Sequence, residues 1–276
     1  MSTILLIVAL VYYRGWVRLC ELLPTVRSRW WPFAFIGGLF ALWAAIESPL
    51  AALDEELLSV HMVQHLLLSV VAAPLILLGA PALPLLHGVP RRFMLRDGLA
   101  HVLRSRPLRA LGRALAQPAI CWSVAIVTFI GWHTPQLFQL GLRSEPWHAV
   151  EHASFLGSGL MFWWPVVQPW PSTANWPRWW VPLYLFAATL PCDGLSAFLA
   201  FSDRVVYPAY LSAPRHFGLS ALQDQECAGA LMWLCVTIAY VIPEAVVTTT
   251  LLSARTGGSF AAARFQFRIG CGSRSQ

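Results

Sequence analysis

The sequence contains no lysine, and only 12% of its 276 residues are charged. Soluble domains carry about 25% charged residues, so this composition excludes an ordinary soluble globular protein. All 19 basic residues are arginine, and the formal net charge is +6. This charge does not indicate nucleic-acid binding, because the arginines lie where membrane topology requires them. With 57% hydrophobic residues and a mean hydropathy of +0.60, the chain is predicted to cross a membrane several times.

The placement of the cysteines is uninformative. The six cysteines form no CxxC pair and show no paired spacing, so they do not indicate a disulfide framework. The apolar start lacks the basic segment and cleavage site of a signal peptide, and we expect none. The sequence shows no nucleophile–base pairing, phosphate-binding loop or nucleotide fingerprint. We therefore do not expect an enzyme.

Seven apolar stretches approach or exceed the roughly 20 residues that a membrane-spanning helix needs. They cover residues 2–22, 32–53, 57–77, 118–132, 147–167, 179–201 and 219–250. We predict an all-α membrane protein with one domain over residues 1–276, a bundle of about seven transmembrane helices. Residues 88–117 are predicted to form a basic cytoplasmic loop with a short amphipathic helix, and residues 253–276 a cytoplasmic tail.

The arginines predict the orientation of the bundle. If the N-terminus lies outside, sixteen of the nineteen arginines fall in inner segments, and only Arg143, Arg204 and Arg215 fall outside. Cytoplasmic segments of membrane proteins carry such an excess of basic residues. The acidic run 54–56 also falls outside. We therefore predict an external N-terminus and a cytoplasmic C-terminus.

Histidines concentrate at the predicted outer ends of the helices. His61 and His65 have helical spacing, as do His148 and His152. Residues four apart lie on one face of a helix, about 6 Å apart along its axis. Histidine is costly in lipid and is the commonest metal ligand. A single such pair is often a polar cap that faces water, but two pairs on one side of the membrane predict a metal site.

Other polar and sulfur groups are predicted to lie on the same side. His133 closes the fourth helix, and His216 lies in the outer loop before the last one. Glu151 lies within the second histidine pair, and a carboxylate beside a ligating histidine fixes its tautomer. Met62 adjoins His61, and Cys227 lies in the outer half of the last helix. Soft sulfur beside imidazole suits Cu(I), although packing roles for both sulfur residues remain an alternative.

Three sequence blocks resemble the CtaG family of cytochrome c oxidase assembly factors, named from the caa3-type oxidase. They are SPLAALDEELLSVHMVQHLLLSVVAAPLILLG (48–79), PWHAVEHASFLGSGLMFWWPV (146–166) and DQECAGALMW (224–233). The strings WHTP (132–135) and YPAY (207–210) also fit. The matching blocks occur in the same order and are spread from about Tyr12 to Trp233, so the resemblance extends over most of the chain.

This resemblance implies an integral protein of the bacterial inner (plasma) membrane that helps to assemble a haem-copper oxidase. The role usually proposed for the family is copper delivery, which implies oxidase subunits, and possibly periplasmic copper chaperones, as partners. The family's motif residues correspond to His61, His65, His133, His148, His152 and Asp224. Additional candidate ligands are His216, Met62, Cys227 and Glu151. The chain departs from the family pattern at Glu226 and Cys227, where less polar residues are expected.

Three other functions remain open from the sequence. Histidines on facing helices can be axial ligands of a b-type haem, or can line a quinone site, in an electron-transfer protein. A membrane di-iron oxygenase would use several histidine boxes, but the chain has only two HxxxH strings and no HxxHH. A non-catalytic scaffold for oxidase subunits would use its histidines only structurally.

Overall fold

A computed structural model describes residues 1–22, 29–89, 112, 114–169, 177–214 and 218–256. Within these ranges the chain is helical and contains no strand, which confirms the predicted all-α membrane fold. Most of the predicted basic loop 88–117 and most of the predicted tail 253–276 lie outside the described residues, and so does His216.

The described helices are numbered in chain order. They are α1 (Ser2–Leu22), α2 (Trp30–Ile46), α3 (Leu58–Leu78), α4 (Ala82–Gly88), α5 (Pro118–Trp132), α6 (Pro135–Arg143), α7 (Glu145–Val167), α8 (Trp180–Phe201) and α9 (Ala221–Thr256). Short 3-10 turns lie at Pro49–Ala52 and Pro208–Leu211. Helix α3 is continuous but contains a π-helical segment, Leu67–Ala72, directly after its histidines. Such segments frequently occur at functional sites.

Five of these helices are long and apolar enough to cross a membrane: α1, α2 with its 3-10 continuation, α3, α8 and α9. Helix α5 is apolar but has only 15 residues. Helix α7 has 23 residues, but His148, Glu151 and His152 make its first turns polar. The total of seven spans and the orientation of the termini therefore stay predictions.

Prolines determine where the helices around the histidines begin and end. Thr134 precedes Pro135 and has extended backbone, with φ −70° and ψ 137°, because the residue before a proline avoids the helical region. Helix α5 therefore ends at Trp132, and His133 lies at the junction with α6. Pro146 lies in the first turn of α7, where proline lacks only a hydrogen bond that the helix does not need.

The cores of α7, α8 and α9 meet around buried aromatic rings. Phe162 stacks on Tyr184 with ring centroids 4.9 Å apart, and Tyr240 lies 5.4 Å from Phe162. The Tyr184 hydroxyl donates to the Phe162 carbonyl at 2.9 Å, so its polar end is satisfied. By contrast, large apolar side chains such as Phe33 and Phe201 are more than 70% exposed, as expected for surfaces that face lipid.

Candidate metal centre

Helices α3 and α7 each present two histidines on the faces that meet inside the bundle. His61 and His65 are buried, with ring centroids 4.4 Å apart. His148 and His152 lie 4.2 Å apart on α7. The His61 ring stacks on His148 at 5.6 Å, and the His65 ring meets His152 at 5.8 Å. The four imidazoles from two separate helices therefore converge at one end of the bundle.

Glu151 lies between the two histidine pairs and is completely buried. Its Oε1 atom is 3.4 Å from His65 Nε2 and 3.7 Å from His61 Nε2. Potential ligand atoms of these three residues all lie within 4.8 Å of one another. Glu151 therefore brings a carboxylate to the centre of the imidazole cluster.

A glycine on α6 makes room for this carboxylate. A Cβ atom added to Gly141 would lie closer to Glu151 Oε2 than non-bonded atoms approach. Any larger residue at position 141 would force the Glu151 side chain to move. Helix α6 thus forms one wall of the centre although it contributes no ligand of its own.

Asp54 adds a second carboxylate that the sequence analysis did not single out as a ligand. Its Oδ2 atom is 3.5 Å from His148 Nε2, and Asp54, His61 and His148 form a second group with ligand atoms within 4.8 Å. The acidic run 54–56, which immediately precedes α3, is the sequence feature that could have indicated this carboxylate. We call the six side chains the Glu151 centre: Asp54, His61, His65, His148, Glu151 and His152.

His133 lies beside this centre and is oriented by its own helix. Its Nδ1 atom is 2.7 Å from the Phe129 carbonyl, and its Nε2 atom is 3.3 Å from the Met62 sulfur. The ring centroids of His133 and His65 are 6.0 Å apart. Because a carbonyl can only accept, Nδ1 carries the proton in neutral His133, and the free lone pair on Nε2 faces Met62.

Two tyrosines from the loop before α9 donate hydrogen bonds to backbone carbonyls next to the Glu151 centre. The Tyr207 hydroxyl donates to the His133 carbonyl at 2.9 Å, and the Tyr210 hydroxyl donates to the Asp54 carbonyl at 2.8 Å. Burial raises the pKa of both phenols above their usual range. Both groups therefore stay protonated and remain donors, which fixes the backbone that carries His133 and Asp54.

Asp224, the motif acid on α9, contacts the beginning of α3. Its Oδ2 atom accepts from the Leu58 amide at 2.6 Å, and its Oδ1 atom accepts from the Ser59 amide at 3.2 Å and the Ser59 hydroxyl at 2.5 Å. The carboxylate from α9 thus caps the first turn of α3, where negative charge is favourable. It holds the helix that carries His61 and His65.

The remaining candidates lie apart from the Glu151 centre or outside the described ranges. Cys227 is exposed on α9, although Asp224 and Gln225 just before it are buried. Glu226 beside it is also exposed. His216 falls in a range that the structure does not describe, so its prediction as a ligand stays open.

Several polar atoms of the Glu151 centre are buried without a hydrogen-bond partner among the described residues. Both ring nitrogens of His61 and His65, and both carboxylate oxygens of Glu151, have no hydrogen-bond partner among the described residues. The Nε2 atoms of His148 and His152 also have no hydrogen-bond partner among the described residues. Buried polar groups are nearly always satisfied because leaving them unpaired is costly. A cation bound among them would satisfy several of these atoms at once.

Comparison with known proteins gives a family for this fold and site. A family model described as cytochrome c oxidase caa3 assembly factor matches residues 10–254. The chain is 26% identical over 221 residues to the uncharacterized protein Mb0105 of Mycobacterium bovis and, equally, to the uncharacterized protein MT0111 of Mycobacterium tuberculosis. Each match covers 75% of this chain and 32% of the relative, so the chain spans about a third of these curated relatives. No solved structure matches.

Proposed function

The chain belongs to the family of caa3-type cytochrome c oxidase assembly factors, and on that premise we propose that it binds copper in the Glu151 centre and delivers it to the oxidase during assembly. The observation that carries this proposal is the group of His61, His65 and Glu151. Their ligand atoms lie within 4.8 Å of one another and lack hydrogen-bond partners in the described part of the chain.

The donor set supports copper on chemical grounds. Imidazole nitrogens bind copper well, and Cu²⁺ has the highest affinity of the divalent first-row metals for a given nitrogen and oxygen site. Ligands bound at about 2.0–2.1 Å to one ion lie about 3–4 Å apart, so the observed spacing needs only small side-chain movements. The Glu151 carboxylate would offset the charge of the ion in a buried site.

The burial pattern supports entry from one end of the bundle. The His148 side chain is 22% exposed, whereas His61 is fully buried. Copper arriving from a periplasmic donor would meet His148 and Asp54 first, and would then reach His61, His65 and Glu151. This path accords with a multi-pass protein of the bacterial inner membrane. Its partners would be oxidase subunits and periplasmic copper chaperones, and its role would be non-catalytic.

The packing does not favour a haem or quinone site. The histidine rings pack against one another, with centroids 4.2–6.0 Å apart. The cavity next to them has a volume of about 50 Å³, whereas small-molecule sites usually measure about 300–1,000 Å³. A strong haem band in the visible spectrum of the purified protein would overturn this conclusion.

Metal analysis of purified variants tests the proposal. We expect about one copper per chain in wild-type protein purified with Cu(II), and less than half of that in the His61→Ala, His65→Ala double variant. His87→Ala is the matched control, because His87 lies on α4 and its Nδ1 pairs with the Leu83 carbonyl at 2.9 Å. Retention of more than half of the copper in the double variant would argue against the Glu151 centre. Normal oxidase assembly in a variant lacking His61, His65, His133, His148 and His152 would favour a scaffold.

A further inference from the structure

A cavity of about 50 Å³ adjoins the Glu151 centre on its side toward the middle of the bundle. Helices α3, α5, α7, α8 and α9 enclose it. This volume is several times the roughly 10–15 Å³ that one water molecule needs, so it can hold a metal ion. Its walls carry donor atoms of a kind that the Glu151 centre lacks.

Three sulfur side chains line the cavity: Met62 from α3, Cys192 from α8 and Met232 from α9. All three are at most 5% exposed. Cys192 is a free thiol. Three separate helices thus bring sulfur-containing side chains to the wall of one small space.

Two imidazoles complete the lining. His133 presents its Nε2 atom 3.3 Å from the Met62 sulfur, and its Nδ1 atom is held by the Phe129 carbonyl. His65 also lines the cavity, while its Nε2 atom is 3.4 Å from Glu151 Oε1. His65 therefore belongs to both the cavity and the Glu151 centre, and it connects them.

We propose that this cavity is a second metal site, specific for Cu(I), held by His133, Met62, Cys192 and Met232. This inference rests on the proposed copper function, and it adds a second binding step deeper in the bundle than the Glu151 centre. Thiolate and thioether ligands select Cu(I), whereas carboxylate and imidazole ligands also accept harder ions. We call the four residues the sulfur site. A Cu(I) ion would pass from the Glu151 centre to the sulfur site by ligand exchange across His65, with no change in oxidation state.

The exchange is balanced in charge. Cys192 binds as a thiolate, so the S–H bond breaks, a Cu–S bond forms and one proton leaves to bulk water. One monovalent cation thus replaces one proton, and the net charge of the cavity does not change. This matters at membrane depth, because adding an uncompensated charge there is costly.

Copper titrations and X-ray absorption spectroscopy of the full-length protein in detergent test the inference. Under anaerobic conditions with Cu(I), we expect two equivalents per chain and a sulfur shell at about 2.3 Å, the usual metal–thiolate distance. With Cu(II) we expect one equivalent and only nitrogen and oxygen ligands. The Met62→Leu, Met232→Leu, Cys192→Ser triple variant should lose one Cu(I) equivalent and the sulfur shell, and keep the Cu(II) equivalent.

The controls separate the two sites. Met161→Leu and Cys235→Ser change sulfur residues that do not line the cavity and should leave both equivalents in place. The His61→Ala, Glu151→Gln variant should keep one Cu(I) with sulfur ligands. A wild-type Cu(I) spectrum without sulfur, or an unchanged spectrum in the triple variant, would overturn the sulfur site while leaving the Glu151 centre intact. Failure of wild-type protein to bind either ion would instead overturn the proposed function.

Discussion

Replacement of Asp224 tests whether a carboxylate on α9 stabilises the helix that carries the histidines. In Asp224→Ala, the amides of Leu58 and Ser59 and the Ser59 hydroxyl lose their acceptors. Asp224 is 2% exposed, so water replaces these bonds poorly.

The expected magnitude follows from these three bonds. Hydrogen bonds to charged groups contribute about 1.5–3 kcal/mol each, and an N-cap side chain about 1 kcal/mol. Because the bonds share one carboxylate, we expect Asp224→Ala to lower the free energy of unfolding by about 3–5 kcal/mol. Asp224→Asn keeps one acceptor oxygen but turns an NH₂ group toward a backbone or hydroxyl donor, and should cost about 1–3 kcal/mol.

Thermal unfolding in detergent, combined with copper analysis, measures this effect. Glu226→Ala is the matched control, because it removes an exposed carboxylate two residues away on the same helix. We expect a clear drop in Tm for both Asp224 variants, none for the control, and weaker copper retention because α3 is less well fixed. An Asp224→Ala protein as stable as Glu226→Ala would refute the capping role. Complete copper loss with unchanged Tm would instead indicate direct ligation.

Two further substitutions probe the walls of the site. Gly141→Ala should displace Glu151 and lower copper binding severalfold in metal analysis, since the added Cβ would clash with Glu151 Oε2. Gly157→Ala, whose Cβ would meet nothing within 4 Å, should bind copper normally and gain about 0.5–1 kcal/mol of helix stability. Equal copper binding in the two variants would contradict the close approach of Gly141 to Glu151. Tyr207→Phe should lower the free energy of unfolding by about 1–3 kcal/mol, because the buried His133 carbonyl loses its donor. Tyr13→Phe, at a 53% exposed position, should not lower it. Equal Tm values for the two variants would exclude a stabilising role for the Tyr207 hydroxyl.

The sequence predicts the local parts of the structure well. Helices α1, α2, α3, α5, α7, α8 and α9 overlap the seven apolar stretches, because a helix of apolar residues satisfies its own backbone hydrogen bonds. The ends of α2 and α9 lie several residues from the expected positions. The spacing of His61 with His65, and of His148 with His152, places each pair on one face for the same local reason. The family resemblance is also confirmed, since its motifs are contiguous strings of residues.

Contacts between distant segments could not be predicted in the same way. Asp224 caps Leu58 across 166 positions of the chain, and its charge alone does not distinguish a cap from a ligand. Asp54 reaches His148 from a backbone position that follows a 3-10 turn and that the Tyr210 hydroxyl contacts from another segment. The gathering of Met62, Cys192 and Met232 around one cavity depends on the packing of three helices. No pattern within any one of them indicates it.

Electron paramagnetic resonance of the Cu(II)-loaded protein tests the central claim most directly, because it reports the ligand atoms of the bound ion. The Glu151 centre predicts one Cu(II) per chain with couplings to several imidazole nitrogens, and loss of that signal in the His61→Ala, His65→Ala variant but not in His87→Ala. A wild-type spectrum without imidazole coupling, or one that the double substitution leaves unchanged, would contradict metal binding at this centre.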